Sequence, residues 1–260
     1  TMSHILNKIN SKYNYNEDVI NMNLCNIPIY FINMERSVDR LHSMMKQIDF
    51  YKIQNIHRVE AVDGSQILNK YNDFYTFSNG EILHFDITHF NDYSMGELGC
   101  VLSHLNTIKC SYERGDEYCL ILEDDIYLGL IMLWDKTLCD VINNAPVDWG
   151  ILQLFAGNTR VTNINEYKIW DNYWGMQAYI MNRQGMKKIV DTVCDGNTVI
   201  INDRIPTKKI CSDHLIYSII NNSELKAYTT KPLFIPSDNI IGSTIHKDHT
   251  QLHVSSSNNS

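Results

Sequence analysis

The chain has 260 residues, 44% hydrophobic and 20% charged, with 22 basic against 30 acidic residues and a net charge of −8. That length suits one large domain or two small ones and buries roughly 70–75% of the unfolded surface, so folding needs no disulfide or structural metal. The acidic balance argues against general nucleic-acid binding, which relies on a basic face, and the sequence has no apolar run long enough to span a membrane.

Residues 1–26 are polar, rich in Asn, Lys and Tyr, and predict an arm or a loose first helix. No basic stretch leads there into an apolar core, so the sequence predicts no signal peptide and a cytoplasmic location. The seven cysteines are odd in number and never two residues apart. This pattern predicts reduced thiols rather than a zinc ribbon or a disulfide framework.

Ordered patterning starts at Ile27, where an apolar run to Asn33 predicts a buried strand. Ser37 then predicts an N-cap, with Val38, Leu41, Met44, Met45 and Ile48 at helical spacing. A second strand is expected over Ile56 to Val62, closed by Asp63 and Gly64. Residues 65–93 show no steady period and predict a long loop with a short helix. Leu98, Val101, Leu102, Leu105, Ile108 and Tyr112 then form one helical stripe that Gly115 ends.

Tyr118 to Leu122 predicts a strand that runs straight into Glu123, Asp124 and Asp125. A helix over Leu130 to Asn143 and strands at Trp149 to Phe155 and Met176 to Met181 follow. Asn182 caps a helix ending near Val193, and Ser212 caps another carrying Leu215, Ile216, Ile219 and Ile220. The strand pair Leu225 to Thr229 and Leu233 to Ile235 closes the pattern. Strand–helix alternation predicts an α/β layer fold with a mostly parallel sheet. It also predicts one domain over residues 27–245 and a polar tail over 246–260.

The acidic triplet is the strongest chemical signal. Side chains alternate along an extended chain, so Glu123 and Asp125 are expected on one face. Two hard oxygen donors at a strand's C-terminal end suit Mn²⁺ or Mg²⁺ with positions open to phosphate; a solvated turn of helix-capping acids is the alternative. The sequence has neither a Walker-type phosphate loop nor a G-x-G-x-x-G fingerprint. Gly96 and Gly99 at a helix start allow a ligand close to backbone N–H groups, or simply suit a helix-entry loop.

Glu97, Ser103 and His104 lie off the apolar stripe, where capping and packing compete with a binding role. Arg36 and Arg40 flank the loop after the first strand and suit phosphate or a solvated helix start. Asp213, in the first turn of its helix, reads as a dipole-friendly acid or a general base. His246, His249 and His253 have ligand-like spacing in a polar tail, where exposed sequence is the plainer account.

Taken in order, these segments resemble glycosyltransferase family 25, which includes bacterial lipopolysaccharide glycosyltransferases and collagen β-galactosyltransferases. The matching pieces run from Tyr30 to Arg40, Arg58 to Gly64, Gly96 to His104 and Leu120 to Asp125. Val147 to Trp149, Tyr173 with Trp174, Ala178 to Ile180 with Gly185, and Ser212 with Asp213 continue the match. The likeness covers roughly residues 27–245 and lies closer to the collagen-modifying branch.

The resemblance implies a GT-A-type nucleotide-diphospho-sugar transferase fold, a UDP-hexose donor and a Mn²⁺- or Mg²⁺-dependent, inverting transfer. Galactose is the favoured hexose, and a hydroxyl such as that of hydroxylysine in a collagen-like protein is the favoured acceptor. It places Glu123 and Asp125 on the metal, Asp124 with the diphosphate, and Asn33, Arg36, Arg40 and Asp63 around the donor. Glu97, Ser103 and His104 would wall the cleft, and Asp213 would be the base. The family commonly carries a late Ser-Asp pair where this chain reads Gly242 to Ile245; His246 would supply the metal ligand from that side. Transfer to a polysaccharide or lipid-linked glycan is one alternative, and a non-catalytic sugar- or nucleotide-binding module is another.

Overall fold

Alternation along the central strands decides the architecture. In strand β1 (Ile29–Asn33), Ile29 and Phe31 join one apolar cluster while Tyr30 and Ile32 join a second. A strand that buries both faces needs a helical layer on each side, and a computed structural model supplies both. It describes residues 17–236, apart from Arg160 and Lys208.

The elements follow in chain order. Helix α1 (Glu17–Leu24) precedes β1, and α2 (Val38–Tyr51) leads to β2 (Ile56–Glu60). Strands β3 (Asn72–Thr76) and β4 (Ile82–Ile87) come before α3 (Met95–Arg114), β5 (Tyr118–Glu123) and β6 (Ile126–Tyr127). Helix α4 (Leu138–Asn143), β7 (Trp149–Gln153), β8 (Lys168–Ile169), β9 (Ala178–Asn182) and α5 (Arg183–Val193) continue the chain. Strands β10 (Cys194–Asp195) and β11 (Thr198–Ile201), helix α6 (Ser212–Asn221), and strands β12 (Lys226–Thr229) and β13 (Ile235–Pro236) complete it.

The main sheet has seven strands in the order β2-β1-β5-β9-β7-β12-β8. Only β9 and β8 oppose the common direction, so the expected mixed α/β fold with a mostly parallel central sheet flanked by helices is what the chain adopts. One face packs on α3, α5 and α6 through Leu98, Leu102, Ile189 and Ile216. The other packs on α1, α2 and α4 through Ile20, Met44, Tyr51 and Val141. Full burial of Ile20 and Leu24 stabilises α1 by about 1.5–3 kcal/mol each, so these residues of the early segment belong to a core. Residues 1–16 and the tail, with His246, His249 and His253, lie outside the described residues.

Several local expectations change. Residues 65–93 contain the β3–β4 hairpin, which joins β10 and β11 in a second sheet. Its signal is the inward alternation of Leu83, Phe85 and Ile87. The helix expected over Leu130 to Asn143 divides into a 3₁₀ stretch, Leu128–Leu133, and α4. Thr137 and Asp140 form a capping box that starts α4 afresh. Cys211, not Ser212, is the N-cap of α6. Strands β12 and β13 do not pair with each other; β13 pairs with β6. All seven cysteines are free.

Helix α3 enters through a full capping box between Ser94 and Glu97. Gly99, one turn later, lets the loop after β2 press on the helix: a Cβ there would lie 2.7 Å from the Val62 carbonyl oxygen and 2.8 Å from the Gly64 nitrogen. Both neighbours are backbone and cannot swing aside. Gly99→Ala is therefore expected to cost roughly 1–3 kcal/mol in strain, more than the helix propensity of about 1 kcal/mol that Ala adds. Urea denaturation checks this, and an unchanged midpoint would show that the loop yields freely.

Candidate active site

The C-terminal ends of β1, β2 and β5 meet the start of α3 around a cleft of about 280 Å³. Open α/β sheets bind ligands at this edge. Of the residues singled out from sequence, Arg36, Arg40, Asp63, Ser103, His104, Glu123 and Asp124 line it. Met95, Gly96 and Cys100 of α3 complete that wall. Cys100 was missed, although it stands one helical turn before His104 and so shares its face.

Strand β5 ends at Glu123 and the chain turns at Asp124 and Asp125. Alternation stops there, and the three acids take different partners. Glu123 Oε1 lies 3.4 Å from His104 Nε2, and His104 Nδ1 meets the Tyr179 hydroxyl at 3.0 Å. Asp124 accepts from Arg40 at 2.9 Å and from Asn33 at 2.6 Å. Burial pushes its carboxyl above the usual range, and Arg40 opposes that shift.

Asp125 differs. Its Oδ2 is 3.9 Å from Arg40, while its Oδ1 is buried with no hydrogen-bond partner among the described residues. Burial, then the charge of Glu123, raises it to about 7. An orphaned carboxylate oxygen beside a second carboxylate fits a hard divalent cation, which would satisfy the one and neutralise the other. Glu123 and Asp125 are the residues that would hold it; Asp125 stands behind the cleft lining, and the ligand atoms already within 4.8 Å of one another are those of Cys100, His104 and Glu123.

The raised value also sets a pH dependence. A neutral acid in the fold, ionised at about 3.9 when unfolded, means that the folded state binds more protons between about pH 4 and 7, so stability falls as pH rises through that window. Without divalent metal, the stability of wild type relative to Asp125→Asn is expected to decline from pH 4 to 7. Melting both proteins across that range tests it; a constant difference would refute the shift.

The remaining candidates take distinct places. Asp63 receives the Ser65 N–H at 3.0 Å and Arg36 at 2.5 Å, so Arg36 reaches the cleft rim already paired. Asn33 is 1% exposed and does not line the cleft. Its amide joins Asp124, the Ser37 carbonyl and Arg58. Glu97 also stays out of the lining, with its carboxylate in the α3 cap. Ser103 lines the cleft while accepting the Val62 N–H at 2.8 Å and donating to the Gly99 carbonyl, which locks α3 to the loop.

Asp213 does not line the cleft itself but adjoins it through Ser212, whose hydroxyl is 3.5 Å from Cys100 Sγ. Its Oδ2 accepts the Gly175 N–H at 3.2 Å and its Oδ1 the His214 N–H at 2.8 Å. Burial, then the Asp213 charge and hydrogen bond, lifts the Cys211 thiol to about 12, so Cys211 remains a donor beside Asp213. Two N–H groups thus hold this carboxylate in place next to the cleft, a setting that suits a general base.

Residues 26–205 match the family model described as Glycosyltransferase family 25 (LPS biosynthesis protein). The chain belongs to glycosyltransferase family 25. Human "Procollagen galactosyltransferase 2" is 25% identical over 231 residues, covering 80% of this chain and 34% of the relative. The "Procollagen galactosyltransferase 1-B" of Xenopus laevis is 26% identical over 241 residues, or 87% of this chain and 38% of the relative. A "Glycosyltransferase 25 family member" of Anopheles gambiae is 28% identical over 173 residues, or 62% and 28%. The chain thus spans about a third of the length of these curated family 25 relatives. Asp213 lies past the residues that the family model matches. No helix among the described residues is long and apolar enough to cross a membrane.

Proposed function

We propose that this chain is a metal-dependent, inverting hexosyltransferase with a GT-A-type site, taking galactose from a UDP-sugar to a hydroxyl acceptor. Family membership supports glycosyl transfer, and the names of the procollagen galactosyltransferases support galactose and a procollagen-like acceptor, in which a hydroxylysine hydroxyl is our favoured target. The observation that carries the reading is the unpartnered Asp125 oxygen just past the end of β5, under the charge of Glu123. When bound, Mn²⁺ or Mg²⁺ would neutralise charge developing on the departing diphosphate.

The chain's own residues supply the rest. Arg40, fixed by Asp124, adds positive charge to the cleft wall beside the donor. Asp213, oriented by Gly175 and His214, takes the proton of the acceptor hydroxyl as that oxygen attacks. Ser103 and His104 shape the inner wall from α3.

The test is UDP release across a panel of UDP-hexoses with Mn²⁺, with EDTA, and with Asp125→Ala. Turnover is expected with Mn²⁺ and UDP-galactose. EDTA should abolish it reversibly, and Asp125→Ala should lose most of it. Full activity in EDTA would sink the metal assignment, and UDP binding without release from any donor would leave a binding module.

A further inference from the structure

We infer that Gln177 reads a hydroxyl of the transferred hexose, through a side-chain carbonyl oxygen held between the acidic triplet and Asp213. The inference rests on the hexosyl-transfer reading above. It starts from Gln177 Oε1, which is buried and has no hydrogen-bond partner among the described residues. Folded proteins pair nearly all such groups, because leaving one unmade forfeits its hydration without return. A ligand donor arriving at this oxygen restores what folding removed.

Its position says which donor. The Gln177 backbone carbonyl accepts the Glu123 N–H at 2.9 Å, which fixes the residue beside the last position of β5. On its other side stands Gly175, at φ +112°, where a Cβ would come 2.4 Å from Gln177 Oε1. Glycine adopts that backbone without the usual penalty and leaves room for the amide. The N–H of the same Gly175 holds Asp213. Gln177 therefore touches Glu123 through its backbone and is linked to Asp213 through Gly175.

In such a transfer the anomeric carbon is bonded on one side to the leaving diphosphate at the triplet. On the other side it is approached by the oxygen that Asp213 deprotonates. The hexose has to occupy the interval between them, and its ring presents hydroxyl donors there. A buried carbonyl is the matching acceptor, and it favours the epimer whose hydroxyl points at it.

Gln177→Met removes the acceptor at similar size, and Gln177→Leu serves as a second apolar variant. Calorimetry on the full chain with Mn²⁺ would compare UDP, UDP-galactose and UDP-glucose, alongside thermal melting and UDP release. The melting temperature is expected to hold or rise, and UDP affinity to stay the same. The affinity gained from the sugar should fall roughly 2- to 12-fold, the range of one neutral hydrogen bond, and the preference between the two hexoses should shrink with it.

Variants that keep the full sugar gain and preference would overturn the inference. A wild type that binds UDP-hexose more tightly than UDP yet never releases UDP would overturn the transferase reading alone. A wild type that gains nothing from the sugar would overturn both.

Discussion

Asp213→Asn is expected to lower kcat by roughly 10²–10⁴-fold while UDP affinity is kept. The variant preserves size, and its amide oxygen can still accept one of the two N–H groups that hold the carboxylate, from Gly175 and His214. What it loses is the capacity to take a proton. If Asp213 served only as a charge at the start of α6, the change would cost about 0.3–1 kcal/mol of stability and little rate. Measuring kcat beside UDP affinity and melting temperature separates the two. A variant transferring sugar near the wild-type rate would move the base elsewhere. His214 is then the next candidate, because the Glu97 carboxylate already serves the α3 cap.

Arg40→Met is expected to destabilise the fold by about 3–5 kcal/mol, a large share of a typical total of about 5–15 kcal/mol. The Arg40 side chain is 10% exposed and that of Asp124 is 7%, at 2.9 Å. Removing the guanidinium leaves a buried carboxylate with only Asn33 donating to it. Adding Asp124→Asn to Arg40→Met removes that stranded charge and should recover much of the loss, so the pair is expected to couple strongly in a double-mutant cycle. Denaturant unfolding of the four proteins provides the measurement. A single-variant loss below about 1 kcal/mol would show the pair to be solvated, as surface ion pairs are.

The sheet and its helices were readable because their signals are local. Strands β1, β5 and β9 are apolar runs, and α3 announces itself by its stripe, its Ser94–Glu97 cap and Gly115 in the left-handed region. The β3–β4 hairpin hid because β3 turns mostly outward and only Tyr75 is buried. Ile82, half-exposed, then blurs the alternation of Leu83, Phe85 and Ile87.

In the cleft, residue identity was legible but partnership was not. Arg40 and Asp124 are 84 residues apart in sequence, and no period links them. Nor does spacing show that Asn33 braces Asp124 from behind, or that the triplet leaves its strand at Asp124. Gln177 carried no signal at all: a lone glutamine before a strand gains its meaning only from the missing partner of its oxygen.

The short β6–β13 ladder has a consequence for how the site is assembled in time. Ile126 pairs with Pro236 and Tyr127 with Ile235, so the segment just after the acidic turn is clamped by residues more than a hundred positions downstream. During synthesis, β1, β2 and β5 can pair as soon as each has emerged, since their contacts need only the first half of the chain. The far side of the turn has to wait for residues 235 and 236. Long-range closures of this kind come late because their entropy cost precedes their reward. The far side of the acidic turn is therefore among the last parts to close, together with Leu233 and Phe234 of the core beneath it.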